Sequence, residues 1–214
     1  MKKELEQVLK DIEQYKQVDK VTIVGVTKTQ PVAKIEQLIS LGITNLGENR
    51  PQELRDKYDE INEDVTWHMI GRLQTNKIKY VINRASLIHS VADLKLMSEI
   101  NKAAQKNNKV IEILLQISTS NEESKQGFNE EELQEALKYA QELPYIEVVG
   151  LMCMAPLVAD ELIVNEVFAK AKEWYDKYNN NFKYLSMGMS TDYIIALKNG
   201  ANMLRIGSLL FTED

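Results

Sequence analysis

Cysteine and histidine are scarce in this 214-residue chain, which has one cysteine and two histidines. Cys153 cannot form an intrachain disulfide, which fits a reducing compartment, and we interpret it as a small buried apolar residue. The histidines, His68 and His89, lie on different predicted strands, without a cysteine or carboxylate at metal-ligand spacing. The sequence therefore predicts no metal site, and we interpret both histidines as hydrogen-bonded core residues.

Basic residues and long apolar runs are also in short supply. The 26 lysine and arginine residues are outnumbered by 32 aspartate and glutamate residues, so the net charge is −6, opposite in sign to that of a typical nucleic-acid-binding protein. No segment approaches the length of an apolar membrane span, and the N-terminal residues alternate charged with apolar side chains, unlike a signal peptide. We expect a cytoplasmic monomer that binds neither nucleic acid nor membrane.

Common enzyme motifs are missing as well. The chain has no Gly-x-Ser-x-Gly elbow, Walker-type loop or His-Glu-x-x-His helix, which excludes the hydrolase, nucleotide-binding and zinc-protease classes that those motifs define. Its four prolines and nine glycines are scattered at predicted turns instead of forming a linker. We therefore expect one domain over residues 1–214.

What the chain does contain is a regular alternation of strand-like and helix-like segments. A β-branched run at residues 21–26 is followed by a helical pattern that begins at Pro31 and stops near Gly42. Further strand-like segments occur at residues 43–46, 66–70, 86–89, 110–117, 146–151, 182–185 and 202–206. The helical segments between them occur at residues 50–61, 75–83, 93–106, 130–142, 161–178 and 191–199.

This order of elements favours an α/β fold built as a single (β/α)8 TIM barrel. An extra amphipathic helix precedes the first strand, with its apolar stripe at Leu5, Val8, Leu9, Ile12 and Tyr15. An open doubly wound sheet is the alternative, because alternation alone does not distinguish the two architectures. We favour closure, since no Gly-x-Gly-x-x-Gly turn follows the first strand.

Lys28 directly follows the first predicted strand, where it would place an amine at the mouth of the barrel. Functional groups of parallel barrels collect at this end, because the loops there face one cavity. An amine that is partly removed from water is more often neutral, and the neutral form can attack an aldehyde. The pattern therefore indicates imine chemistry at Lys28, with a solvated loop lysine as the alternative.

The loop after the seventh predicted strand is a small turn that contains Gly188. Ser186, Met187 and Ser190 are its candidate ligand contacts. The backbone N–H groups of such a turn, its hydroxyls and the positive end of the following helix favour a phosphate group. Ser190 could instead cap that helix.

The end of the eighth predicted strand carries a second set of anion-binding groups. Arg205 supplies a forked cation, and we expect free backbone amides at Gly207 and Ser208 beside it. Because parallel barrels often hold phosphate between the loops after strands seven and eight, donors at both places predict one shared phosphate site. Taken alone, Arg205 could equally form an ion pair with a nearby carboxylate.

Two further residues are candidate cofactor contacts. Asn49 follows the second predicted strand, and His68 lies on the third. Asn49 could hydrogen-bond a ring oxygen of a cofactor, although a helix cap three residues before Gln52 is the favoured interpretation. His68 is also kept as a candidate cofactor contact, beside its interpretation as a core residue.

Seven separated motifs span nearly the whole chain. They are Thr-Lys-Thr-Gln-Pro at 27–31, Gly-Glu-Asn at 47–49, Trp-His-Met-Ile-Gly-Arg-Leu-Gln-Thr-Asn-Lys at 67–77, His-Ser-Val at 89–91, Gly-Leu-Met-Cys-Met at 150–154, Ser-Met-Gly-Met-Ser at 186–190 and Arg-Ile-Gly at 205–207. In this order they resemble the pyridoxal phosphate homeostasis protein family. Thr27 stands where serine is usual in that family, and Gln30 stands where a basic residue is frequent.

The resemblance implies a barrel like the N-terminal domain of alanine racemase. Pyridoxal 5′-phosphate (PLP) would be held as a Schiff base on Lys28, with its phosphate between the seventh and eighth loops. The implied role is control of intracellular PLP, by holding the aldehyde and handing it to PLP-dependent apoenzymes, without robust catalytic turnover.

Two alternatives remain open on the sequence. The first is a PLP-dependent amino-acid racemase or a related PLP enzyme. Racemisation needs an acid or base on each face of the substrate, and the chain has no length for the added β domain of alanine racemase, so we expect no appreciable racemase activity. The second is a phosphosugar-binding barrel that never uses PLP and gives Lys28 another role.

Overall fold

Eight parallel strands form a closed barrel in the computed structural model, which describes residues 1–119, 126–179 and 181–211. Each strand pairs with the next one along the chain, and the first strand pairs with the last. In that closing pair, Thr22 lies opposite Met203 and Gly25 lies opposite Ile206. The predicted (β/α)8 barrel is therefore confirmed, and the open-sheet alternative is wrong.

The strands are β1 Thr22–Val26, β2 Asn45–Glu48, β3 Thr66–Met69, β4 Leu87–Val91, β5 Ile111–Ile117, β6 Ile146–Cys153, β7 Tyr184–Ser186 and β8 Met203–Ile206. The helices are α1 Lys2–Tyr15, α2 Val32–Ser40, α3 Pro51–Glu60, α4 Ile78–Val81, α5 Leu94–Lys106, α6 Glu130–Ala140, α7 Glu161–Lys177 and α8 Tyr193–Lys198. A 3-10 turn, Thr75–Lys77, leads into α4. Within the described ranges, no helix combines the length and apolarity needed to cross a bilayer.

Strand β2 begins at Asn45, two residues later than the sequence predicts. The preceding helix, α2, ends at Ser40, and Gly42 just beyond it has a positive φ of 93°. The Gly42 amide donates to the Ile39 carbonyl, and the Ile43 amide donates to the Leu38 carbonyl at 3.3 Å. Because this helix-terminating pattern uses the Ile43 amide, the sheet pairing starts only beyond it.

Apolar side chains fill the interior of the barrel, so that it is a packed core and not a pore. The interior cluster consists of Val24, Val26, Ile70, Leu87, Leu114, Val149, Met152 and Met203. A larger apolar cluster lies between the strands and the surrounding helices, and it includes Leu46 and Phe168. The cavities lined by Lys28 and by His68 therefore lie at the two ends of this packed barrel.

The N-terminal helix α1 packs against α8 through a buried polar contact. The Tyr193 hydroxyl donates to Asp11 Oδ2 at 2.6 Å, and Gln7 Nε2 donates to Asp11 Oδ1 at 2.9 Å. Only 8% of Asp11 and 7% of Tyr193 is exposed. Burial and the Asp11 carboxylate raise the pKa of Tyr193, so its hydroxyl keeps the proton that it shares with Asp11.

We predict that Tyr193→Phe destabilises the protein by about 1 to 3 kcal/mol, because it leaves a buried carboxylate oxygen without a donor. The free energy of unfolding, measured by urea denaturation, tests this. Asp11→Asn is the matched control, since it keeps a polar group opposite Tyr193 and is expected to lose less. Equal stability of Tyr193→Phe and the unaltered protein would contradict the prediction.

Candidate functional site

A cavity of about 460 Å³ opens at the carboxyl ends of the strands. The loops after β1, β2, β3, β7 and β8 contribute to its wall, as does the end of β6. Five of the candidate residues predicted from the sequence line it: Lys28, Asn49, Ser190, Arg205 and Gly207. Ser208 lies beside them, so the structure brings the predicted amine and both predicted phosphate loops into one cavity.

The charged side chains of this cavity are all cationic. Lys28, Arg72 and Arg205 line it, and no aspartate or glutamate does so among the residues that the structure describes. The whole chain, in contrast, has a net charge of −6. A concave site with one sign of charge concentrates ligands of the opposite sign, so the cavity is suited to an anion.

Three predicted contacts lie below the cavity and do not line it. Ser186 and Met187 have no exposed surface, and only 2% of His68 is exposed. The Met187 amide donates to the Met203 carbonyl, and the His68 ring lies at the opposite end of the barrel. The structure therefore does not bring these three residues to the cavity with the other candidates. For Ser186 the reason is that β7 continues through this residue and turns its side chain into the core.

The turn that carries Lys28 is held at both neighbouring residues. Thr27 is fully buried and its hydroxyl donates to Glu48 Oε1. The Thr29 amide donates to Glu53 Oε2 at 3.0 Å, and Thr29 has a left-handed φ of 61°, a conformation that β-branched residues seldom adopt. Lys28 itself is exposed. The expected partial removal of its amine from water is therefore not seen in this structure, although Lys28 does line the cavity.

A buried ion pair lies beneath that turn, between the sheet and α3. Lys57 Nζ is 2.7 Å from Glu48 Oε1, donates to the Thr27 carbonyl at 2.7 Å, and lies 3.3 Å from Glu53 Oε2. Burial raises the pKa of Glu48, and the hydrogen bonds from Lys57 and Thr27 oppose that rise. The sequence did not predict this pair. The available signal was that Lys57 falls in the apolar stripe of α3, between Leu54 and Ile61.

The two predicted phosphate loops are bonded to each other through Ser190. Its Oγ accepts hydrogen bonds from the amides of Gly207 at 3.2 Å and Leu209 at 3.3 Å. The expectation of a free amide at Gly207 is therefore wrong. The backbone amides of Ser190, Thr191 and Ser208 have no hydrogen-bond partner among the described residues, and these three residues line the cavity.

Neither predicted helix cap at the cavity is present. The N-cap position of α8 is Asp192, whose carboxylate accepts from the Met189 amide, so Ser190 does not cap the helix. The N-cap position of α3 is Arg50, followed by Pro51, and it makes no side-chain cap bond. Asn49 therefore lies one residue before the N-cap, where it lines the cavity.

Arg205 forms the floor of the cavity on the β8 side. Only 4% of it is exposed. Its Nη1 donates to the Ser186 carbonyl at 2.8 Å and to Ser186 Oγ at 2.7 Å, and its Nη2 donates to the Cys153 carbonyl at 3.0 Å. Burial lowers the pKa of Arg205 to about 10, which leaves it cationic at neutral pH. It forms no ion pair with a described carboxylate, so the ion-pair alternative is wrong.

Both histidines are hydrogen-bonded core residues, as the sequence predicts, and the structure adds that they bond to each other. His68 Nδ1 is 3.0 Å from His89 Nε2, His68 Nε2 is 3.1 Å from Asn45 Oδ1, and His89 Nδ1 is 3.1 Å from Ser186 Oγ. Burial lowers the pKa of His68 to about 4, and burial also lowers that of His89 well below its ordinary value. Both rings are therefore neutral at pH 7.

Arg72 and Gln126 also line the cavity, and neither is among the candidates predicted from the sequence. With the Gln126 amide oxygen turned to the guanidinium, it accepts from Arg72 Nη1 at 2.9 Å and from Nε at 3.0 Å. The neighbouring residue Gly71 packs directly on the backbone of Asn49, where any Cβ would overlap it. The absent side chain therefore lets the loops after β2 and β3 meet at the cavity.

Comparison with known proteins identifies a family and several relatives of this chain. The family described as the alanine racemase N-terminal domain matches residues 3–214. The pyridoxal phosphate homeostasis protein of Aquifex aeolicus is 41% identical over 89% of this chain and 86% of its own length. That of Synechocystis is 36% identical over 90% of this chain and 91% of its own.

Solved structures give the same result for the fold. PipY of Synechococcus elongatus, solved with PLP bound, superposes with a TM-score of 0.88 at 28% identity, over 99% of both chains. An alanine racemase of Clostridium difficile superposes with a TM-score of 0.78 at 16% identity, over 99% of this chain and 60% of its own. The latter likeness concerns the fold alone.

We predict a loss of stability at mildly acidic pH that depends on His68. An unfolded histidine binds its proton near pH 6.5, whereas His68 in the folded protein binds one only near pH 4. Between these values the unfolded chain holds more protons, so folding stability is full above about pH 6.5 and falls as pH drops. Linkage puts the loss from pH 7 to pH 5 at about 2 kcal/mol for this residue. Urea denaturation at both pH values measures it, and His68→Gln should lose correspondingly less. An identical loss in both proteins would refute this origin.

We also predict that Lys57→Met destabilises the protein by about 3 kcal/mol or more, because it leaves the buried Glu48 carboxylate without its cation. Adding Glu48→Gln in the same chain removes the unpaired charge and should restore part of the loss. Denaturation of the single and double variants measures both effects. A double variant that is less stable than Lys57→Met alone would show that the charge is not the cause.

Proposed function

Because the chain belongs to the alanine racemase N-terminal domain family, and within it to the pyridoxal phosphate homeostasis proteins, we propose that it binds PLP and takes part in intracellular PLP homeostasis. The observation that carries this proposal is the cavity itself. It joins an exposed primary amine, two further cations and unpaired backbone amides, and no described carboxylate lines it. Its volume of about 460 Å³ is within the usual range for cofactor sites.

The phosphate of PLP would lie between the loops after β7 and β8. The unpaired amides of Ser190, Thr191 and Ser208 are donors of the kind that bind phosphate oxygens. The Ser190 hydroxyl accepts from the Gly207 amide, which leaves its own proton to donate to the phosphate. Gly207 also lets the loop after β8 pack closely on β1, since a Cβ there would lie 3.0 Å from Val26 Cβ.

Arg205 would contribute a buried cation directed at the anionic groups of the cofactor. A guanidinium has five N–H donors, and three of those of Arg205 are used by Ser186 and Cys153. The remaining two donors have no partner in the described part of the chain, and Arg205 lines the cavity. Asn49, which follows β2 and also lines the cavity, would offer an amide to a polar group on the cofactor ring.

Lys28 would hold the cofactor covalently. When bound, PLP supplies an aldehyde that a primary amine attacks to form a Schiff base. Lys28 is the one lysine among the described residues that line this cavity. The bonds of Thr27 and Thr29 to α3 and its neighbours fix the turn on both sides of it, so the amine is held at the cavity mouth.

A carrier role fits the cavity better than a racemase role. Racemisation needs proton-transfer groups on two faces of a substrate. Apart from Lys28, the described lining contains no histidine, cysteine, tyrosine or carboxylate. We therefore propose a cytoplasmic, single-domain monomer over residues 1–214 that holds PLP and delivers it to PLP-dependent apoenzymes without robust turnover of its own.

The proposal predicts that PLP turns the purified protein yellow and that borohydride reduction fixes one PLP on Lys28, because Lys28 is the amine within the anion-binding cavity. Mass spectrometry of the digested protein locates the modified lysine. Lys28→Arg should keep the positive charge and lose the yellow species. Lys34→Arg, which changes a lysine outside the cavity lining, should behave as the unaltered protein does. Modification at another lysine, or none at all, would contradict the assignment.

A further inference from the structure

The only two histidines of the chain lie in one hydrogen-bonded row inside the barrel. The row begins at Asn45, at the far end of the barrel from the cavity, and passes through His68 and His89 to Ser186. Ser186 then accepts from Arg205. Ser186, His68, His89 and Arg205 are all buried. The row therefore reaches the cavity only through Arg205.

The hydrogen bonds of this row are satisfied in one direction. A neutral histidine has one donor nitrogen and one acceptor nitrogen. When His68 donates through Nε2 to Asn45 Oδ1, its Nδ1 must accept from His89 Nε2, and His89 Nδ1 must accept from the Ser186 hydroxyl. The reverse direction would leave the Ser186 hydroxyl proton without an acceptor among the described residues.

This direction determines how Ser186 meets Arg205. Because the Ser186 hydroxyl donates its proton to His89, Ser186 Oγ can only accept from Arg205 Nη1. The Ser186 carbonyl accepts from the same nitrogen. The Cys153 carbonyl holds the second nitrogen, Nη2. A planar guanidinium with three donors fixed in this way has a single orientation, in which its other two donors are available to the cavity.

We propose that His68, His89 and Ser186 are positioning residues for Arg205, and that this row fixes the direction in which the guanidinium faces bound PLP. The inference rests on the proposed function. None of the three residues lines the cavity, so they would act on the cofactor only through Arg205.

The simpler alternative is that the row only stabilises the core. A buried polar network is seldom more stabilising than apolar side chains of similar volume. The interior around this row is otherwise apolar, with Leu87, Val149 and Met203 among its members. Stability alone therefore does not account for two neutral histidines there, whereas the orientation of a buried cation does.

The first test determines which nitrogen of each histidine ring carries the proton. Nitrogen-15 NMR of the PLP-free protein at pH 7 should give two neutral rings, each protonated at Nε2, and the signals are unambiguous because the chain has only two histidines. Adding PLP should shift both signals, although neither ring lines the cavity. A proton on His89 Nδ1 would show that the hydrogen bonds of the row run in the reverse direction. Histidine signals unchanged by PLP would show that the row is not coupled to the site. Either result would overturn the inference.

The second test measures PLP affinity by equilibrium dialysis. Ser186→Ala should weaken binding about tenfold, the equivalent of one hydrogen bond to a charged group, and should abolish the response of His89 to PLP. Ser186→Thr, which keeps the hydroxyl, should recover most of the affinity. Val149→Ala is the control, because it perturbs the same interior outside the row and should leave affinity unchanged.

The possible failures are distinguishable. If Ser186→Ala binds PLP as well as the unaltered protein, or loses no more affinity than Val149→Ala, the positioning role is wrong and the proposed function stands. If the unaltered protein does not bind PLP, the proposed function is wrong and the positioning role is wrong with it.

Discussion

The pairing of β1 with β8 is the constraint on which the candidate site depends. It places Lys28, which follows β1, in the same cavity as Arg205 on β8, although the two lie near opposite ends of the chain. Parallel closure also aligns all carboxyl ends of the strands at one rim. The loops after β7 and β8 thereby add their amides to the two cations. A chain with a net charge of −6 thus forms one cavity in which every described charged side chain is positive.

Two buried polar networks support this cavity from opposite sides of the sheet. Outside the barrel, Lys57 pairs with Glu48 and donates to the Thr27 carbonyl, and it thereby holds the turn that contains Lys28. Inside the barrel, the histidine row ends on Ser186 and Arg205. Each network removes polar groups from water, which opposes folding unless every partner is present. Their common effect is to limit the movement of the two cationic groups that we assign to PLP, so that rigidity is concentrated beneath the site.

The sequence predicted the barrel, the amine and both anion-binding loops, because these depend on the order of elements and on the ends of strands. It failed where the outcome depends on a single residue of register. The predicted seventh strand ends at residue 185, which places Ser186 in the loop at the cavity. In the structure β7 includes Ser186, and its side chain lies inside the barrel. His68 lies on the inner face of β3 but towards the far end of the barrel. The partner of Lys57 could not be predicted either, since the pairing of an outward strand residue with a helix is a tertiary contact.

The central claim is that one cofactor is joined to Lys28 while its phosphate lies against the loops after β7 and β8. A crystal structure of the protein grown with PLP tests this claim most directly. We expect continuous density from Lys28 Nζ into the cofactor, with the phosphate bonded to the amides of Ser190, Thr191 and Ser208 and with Arg205 facing the ring or its anionic groups. Density for PLP at another lysine, or a phosphate outside the cavity, would contradict the account.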